Sequence, residues 1–137
     1  LQQDKPREAI ELITQFGSKN AEIRNAFGVC LMRIGEHDKA LEVYRSLCIS
    51  QGVCLKPDAP IAHLVNYATV LLLLHNISGC LDILRQVPAS DNPGAMRLRT
   101  AVDRWRKSLS LWQRLGLLCG FEPGAAIQLD GPPGVLA

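Results

Sequence analysis

The sequence predicts an all-α protein built from antiparallel helix hairpins, and three observations carry that expectation. Apolar residues recur with helical periodicity through most of the chain, and turn residues interrupt them at regular intervals with no strand-like alternation between. The pattern also repeats itself forty residues on. Helices are expected over roughly 6–16, 21–34, 37–48, 60–75, 78–87 and 94–118. Gly17-Ser18, Gly35, Gly52 with Lys56-Pro57, Asn76, and Asp91-Asn92-Pro93 separate them.

Bulk properties agree with one folded unit. Apolar residues make up 47% and charged residues 20%, which places the chain among globular proteins and not among disordered tails. Aromatics reach only 5%, while Leu and Ala abound, which favours helices because straight side chains lose little rotamer freedom there. The length suits a single core. The start, Leu1-Gln2-Gln3-Asp4, has no secretory signal pattern and no Met, so the chain reads as a cut or processed piece. The longest apolar run, residues 68–74, is far short of a membrane span.

Charge is uneven along the chain. Residues 1–94 hold nine Lys/Arg against ten Asp/Glu, a net −1. Residues 95–119 hold six (Arg97, Arg99, Arg104, Arg106, Lys107, Arg114) against Asp103, a net +5, and the remainder carries Glu122 and Asp130. One basic helix follows from this, but not a surface basic enough throughout for nucleic acid. The five cysteines (Cys30, Cys48, Cys54, Cys80, Cys119) show no paired spacing. Periodicity puts three of them inside, as small hydrophobes in a reducing, cytoplasmic setting.

The repeat is specific in its details. Phe27-Gly28 with Leu31 is answered by Tyr67-Ala68 with Leu71, and Ala40 with Tyr44 and Leu47 by Cys80 with Leu84 and Val87. In both copies the small residue of the first helix precedes that of the second by twelve positions. Small residues at those places let two helices approach closely, while larger ones beside them fill the groove. Ala9, Ile13 and Phe16 repeat the second half alone. A helix pair of this kind leaves an apolar face that the next pair must cover.

This pattern resembles the tetratricopeptide repeat, which places Leu-Gly-x-x-Tyr in its first helix and Ala-x-x-x-Phe in its second. The matching residues are Phe27, Gly28, Leu31, Gly35, Ala40 and Tyr44, within residues 21–48. Residues 61–88 form a degenerate second copy, with Ala68 for the glycine, His75 for the turn glycine and Cys80 for the alanine. Residues 4–16 resemble a second helix without its first. The resemblance covers about two thirds of the chain and implies a short right-handed α-solenoid over residues 1–120.

The third unit departs from that pattern. Residues 94–118 are expected to form one long capping helix with Val102, Trp105, Leu109, Trp112 and Leu115 on one face. Arg99, Asp103, Arg106, Lys107, Ser110, Gln113 and Arg114 fall on the other. Residues 121–137 are too rich in Pro and Gly for helix. Phe121, Ile127, Leu129, Val135 and Leu136 are nevertheless too apolar for a solvated linker. An extended tail is expected, with Ile127 and Leu129 seated in an apolar groove near Val65, Leu72 and Leu73 or on a neighbouring molecule.

Chemistry-bearing motifs are scarce. His37, His63 and His75 form no H-x-x-x-H pair, there is no C-x-x-C, and Gly131-Pro-Pro-Gly lacks the lysine and helix of a phosphate loop. Cys30 and Cys80 fall on packing positions, which argues against a nucleophile. The expectation is no enzyme, no metal and no cofactor.

Function then falls to the groove. The resemblance implies that first helices line a concave, ligand-binding surface. Carried over residue by residue, that surface comprises Glu22, Asn25, Val29, Met32 and Arg33, then Ala62, Val65, Asn66, Thr69, Leu72 and Leu73. Relatives that clamp the C-terminal carboxylates of chaperones use Lys, Arg and Asn; only Asn66 matches here, which argues against that role. The remaining surface suits an extended or helical peptide with aliphatic anchors, its backbone held by Asn25 and Asn66. The expected partner is another protein or the chain's own C-terminal tail. The alternative is a peripheral adaptor that meets an anionic membrane surface or RNA through the basic helix bearing Trp105 and Trp112. Burial of both rings against residues 78–88 would remove its anchor.

Overall fold

The computed structural model describes residues 5–16, 19–50, 54–88, 92–121, 124 and 127–136. Seven helices make up the described residues, with no strand among them. They are α1 (Pro6–Phe16), α2 (Ala21–Arg33), α3 (His37–Cys48), α4 (Ile61–Leu73), α5 (Ile77–Gln86), α6 (Pro93–Ser108) and α7 (Leu111–Leu118). The separators Gly17-Ser18, Gly52 and Asp91, the leading residues 1–4, and the side chain of Phe16 lie outside the described residues.

Each helix from α1 to α4 packs against the next, and α4 also meets α2 and α6. Local chemistry sets the ends. The Asn20 side chain accepts the Glu22 N–H at 2.8 Å to start α2. Asn92, followed by Pro93, accepts the Gly94 and Ala95 N–H groups to start α6. The exits of α2 and α4 share one geometry. Glu36 N–H donates to Leu31 C=O and Gly35 N–H to Met32 C=O; Asn76 N–H donates to Leu71 C=O and His75 N–H to Leu72 C=O. Both exits therefore need a left-handed residue, and it is Gly35 at φ +84° in one and His75 at φ +60° in the other.

The core runs continuously through the helix pairs, from Val29, Leu31, Ala40 and Tyr44 to Val65, Ala68, Leu71, Cys80 and Leu84. Gly28 is obligatory within it. A Cβ there would sit 2.7 Å from the Tyr44 ring, whose hydroxyl donates to the Asn25 backbone carbonyl at 3.0 Å. Burial pushes the Tyr44 hydroxyl far above its usual titration range.

The single long helix expected over 94–118 is instead two. Its ladder stops at Leu109, and Ser110 opens α7 with a reciprocal capping box: the Gln113 side chain accepts the Ser110 N–H, and Gln113 N–H donates to Ser110 Oγ. Arg114 straps the break by donating to the carbonyls of Leu109 and Lys107. The change of direction splits the expected apolar face. Trp105 is 5% exposed and Leu109 is buried, whereas Trp112 is 83% exposed and Leu115 also faces solvent. The helix end is thus not a polar cap. Leu111, Trp112, Leu115, Leu118 and Phe121 form an exposed apolar patch beside a cleft of about 740 Å³ between α5, α6 and α7.

Candidate functional site

The face of α2, α4 and α6 carries two buried asparagines. Asn66 is 0% exposed and Asn25 is 1% exposed. A carboxamide out of water must have its donors and acceptor satisfied, or it costs roughly 1–3 kcal/mol. At Asn66 the satisfaction is complete. One Asn66 N–H donates to Asn25 Oδ1 at 2.8 Å and the other to the Val135 carbonyl at 2.8 Å, while Asn66 Oδ1 accepts the Val135 N–H at 2.7 Å. The amide orientation follows from the network, because a flip would oppose oxygen to oxygen at Asn25 and donor to donor at Val135.

Val135 belongs to the segment 127–136, which crosses this face. Arg33 Nε donates to the Pro133 carbonyl at 3.3 Å on α2. Gly134 lies directly over Val29 and Met32, and Val135 over Gly94 of α6. Leu129 and Val135 flank a residual space of only about 40 Å³, lined also by Val65, Thr69 and Leu98. Asp130 meets Arg104 in a two-bond pair at 3.0 and 2.8 Å. The Arg104 hydrogen bond, with its charge, holds the Asp130 carboxyl below its usual range, and Asp130 raises Arg104 in turn. Ile127, Leu129, Val135 and Leu136 are partly buried against the core. Phe121 is not: it stands in solvent on the α7 side, contrary to expectation.

Of the surface residues expected from the sequence, Asn25, Val29, Met32, Arg33, Val65, Asn66 and Thr69 come together under or beside this segment. Leu72 is buried in the core, and Leu73 and Ala62 are partly buried. Glu22 is exposed in the first turn of α2, where its Oε1 lies 3.5 Å from Nε2 of the buried His63 without forming a hydrogen bond. Gly94, Arg97, Leu98 and Arg104 of α6 are the contributors that the sequence reading assigned to a cap instead. Their signal was present: Arg97 and Arg104, seven apart, share a helix face.

No group of three His, Cys, Asp or Glu that could hold a metal ion exists among the described residues. Cys30, Cys48 and Cys80 are buried, and burial pushes the Cys48 and Cys80 thiols up to about 12, away from the reactive thiolate. No helix among the described residues is long and apolar enough to cross a membrane. No family model matches the chain, no curated protein matches it, and no solved structure matches it.

Proposed function

We propose that the chain is a tetratricopeptide-type helical repeat module, cytoplasmic and non-enzymatic, that binds an extended peptide segment in the groove of α2, α4 and α6. Residues 127–136 hold that groove in place of a partner. The observation that carries this reading is the reciprocal pairing of the Asn66 carboxamide with both backbone groups of Val135. An asparagine used in this way recognises main chain, so it can serve any extended segment that offers an N–H and a C=O in register. The segment's own hold is marginal: ordering each residue costs about 1–2 kcal/mol, against roughly 1.5–3 kcal/mol for each large apolar side chain fully buried. A marginal occupant is one that a partner can displace.

The test is exchange of the Val135 amide in the full chain, followed by NMR. It should be protected in the native protein and should lose that protection in Asn66→Ala, and a synthetic peptide of residues 127–136 should raise its exchange by occupying the groove whenever the tethered copy leaves. Free exchange of Val135 in the native chain would remove the proposal's basis.

A second reading, contact with an anionic membrane surface, is favoured by one observation. Trp112 stands exposed with Leu111, Leu115, Leu118 and Phe121, beside the exposed cations Arg106 and Lys107. Trp105 is buried, so a blue shift of Trp fluorescence on adding anionic vesicles reports Trp112. No shift, or an equal shift with Trp112→Ala, would reject it.

A further inference from the structure

On the reading that this groove takes an extended peptide, we infer that it is sequence-selective. Its ligand class is a segment with a carboxylate five positions before a branched aliphatic residue, that residue preceded by glycine and a proline pair lying between. The chain carries its own copy at Asp130-Gly-Pro-Pro-Gly-Val135.

Glycine is demanded on two independent grounds. Gly134 sits at φ +91°, in the left-handed region that L side chains rarely adopt. A Cβ there would lie 2.9 Å from both methyls of Val29 and 3.0 Å from Met32 Cε. Val29 and Met32 are fully buried core residues of α2, so neither can swing aside without opening the core. The following position is matched to a branched side chain by a deletion on the protein side. A Cβ on Gly94 would fall 2.6 Å from Val135 Cγ2 and 3.2 Å from Val65 Cγ1. A Cβ on Gly94 would also crowd Asn92 Oδ1 at 3.2 Å, but its tightest meeting by far would be with Val135, so the missing side chain provides the seat.

Register is set at the other end. The Arg104 guanidinium presents its fork to both Asp130 oxygens, a geometry that accepts a planar carboxylate and rejects an amide. Both groups are exposed, so the pair selects more than it binds. The intervening Pro132 and Pro133 have no N–H to satisfy and preset their backbone angle. The groove asks only for the Pro133 carbonyl, which Arg33 takes. Carboxylate, stiff spacer, glycine and branched aliphatic thus form one ruler laid across α6, α4 and α2.

The test uses the full chain carrying Gly134→Leu, which should release the tethered segment and expose the Val135 amide to exchange. Labelled peptides of residues 127–136 are then titrated by fluorescence anisotropy. The native peptide should bind. Alanine at the Gly134 position should weaken binding about tenfold or more. Asparagine at the Asp130 position should weaken it about two- to fivefold, and that difference should vanish in an Arg104→Ala background. Equal binding by all peptides would leave the groove reading intact and overturn the selectivity. A Val135 amide still protected in Gly134→Leu would overturn it directly. A released segment with no peptide binding at all would overturn the groove reading itself. Should Gly134→Leu perturb the helices by circular dichroism, Val135→Asp releases the segment from the far side of Asn66, and the same peptide ranking decides.

Discussion

The two helix pairs α2–α3 and α4–α5 solve the same packing problem with different residues. Their first helices begin forty residues apart and are each 13 residues long. In α2 the crossing residue is Gly28, because the Tyr44 ring fills the space a methyl would need. At the same places the second pair has Ala68 and Leu84, both buried. A branched aliphatic in place of the ring leaves room for the methyl. The linking turns differ in the same spirit. Gly35 enters the left-handed region freely, while His75 enters it against its Cβ. Asn76 compensates by doing two jobs, donating its N–H back to Leu71 and accepting the Gly79 N–H with its side chain; Glu36, in the same place, does only the first. The differences between the two pairs are thus matched at facing positions, a smaller side chain in α5 where α4 carries the extra methyl.

The strongest way to break this comparison is at the crossing. Gly28→Leu should cost ~3 kcal/mol or more and Gly28→Ala about 1–3 kcal/mol, by thermal or denaturant melts. Combining Gly28→Ala with Tyr44→Leu, which copies the second pair into the first, should cost less than the sum of the single changes. Additive effects in that cycle would mean the two positions do not share one space.

Next in size is Asn66, whose counterpart forty residues earlier is Ala26; the amide of the first pair stands one position before that, at Asn25. Asn66→Ala should cost about 1–3 kcal/mol, because Asn25 and the Val135 backbone lose their partner. Ala26→Ser, at the corresponding place on α2, should leave Val135 exchange unchanged. The turns come third. His75→Gly should stabilise by about 1 kcal/mol and Gly35→Ala should destabilise by a similar amount. Equal responses at the two turns would mean His75 is relieved in some other way.

The smallest effect concerns the exposed pair of Arg104 on α6 with Asp130. Asp130 titrates below its usual range in the folded state, so its contribution is complete above the ordinary carboxylate range near pH ~4 and is lost as pH falls through the depressed value. The Val135 amide chemical shift should move over that acid window. Asp130→Asn should abolish the movement, and a persistent one would assign the titration elsewhere.

Much of the fold was legible because its signals are local. Five helices, α1 to α5, lie within two residues of their expected bounds, since Gly17-Ser18, Gly35, Lys56-Pro57 and Asn76 separate them. The break at Leu109 was hidden for a specific reason. Val102, Trp105, Leu109, Trp112 and Leu115 keep a helical period straight across it, so the apolar pattern carries no trace of the turn; only the Ser110-x-x-Gln113 capping signature does. The asparagine pair was legible as two amides on first helices, but not as a pair. Asn25 and Asn66 are 41 apart, one off the repeat, and that single residue of stagger lets them meet. The contribution of α6 was missed because a basic, amphipathic terminal helix resembles a cap, and Gly94 looks like an end signal until something is found seated on it.

The span of the tail contacts has a consequence in time. Tyr44 closes on Asn25 across 19 residues, but Val135 reaches Asn66 across 69 and Pro133 reaches Arg33 across 100. Closing a loop of that longest size costs about 1.4 kcal/mol more chain entropy than closing one of ~20 residues. Chain entropy therefore favours assembly of α2 to α5 ahead of the tail's arrival. During that interval the two asparagines face water and the groove is open. A competing segment that is present then contends on arrival rate, whereas one that comes later must wait for the tail to leave. For an occupant held as marginally as this one, the wait governs how fast a competitor would enter, while relative affinity governs how much of the surface it would hold.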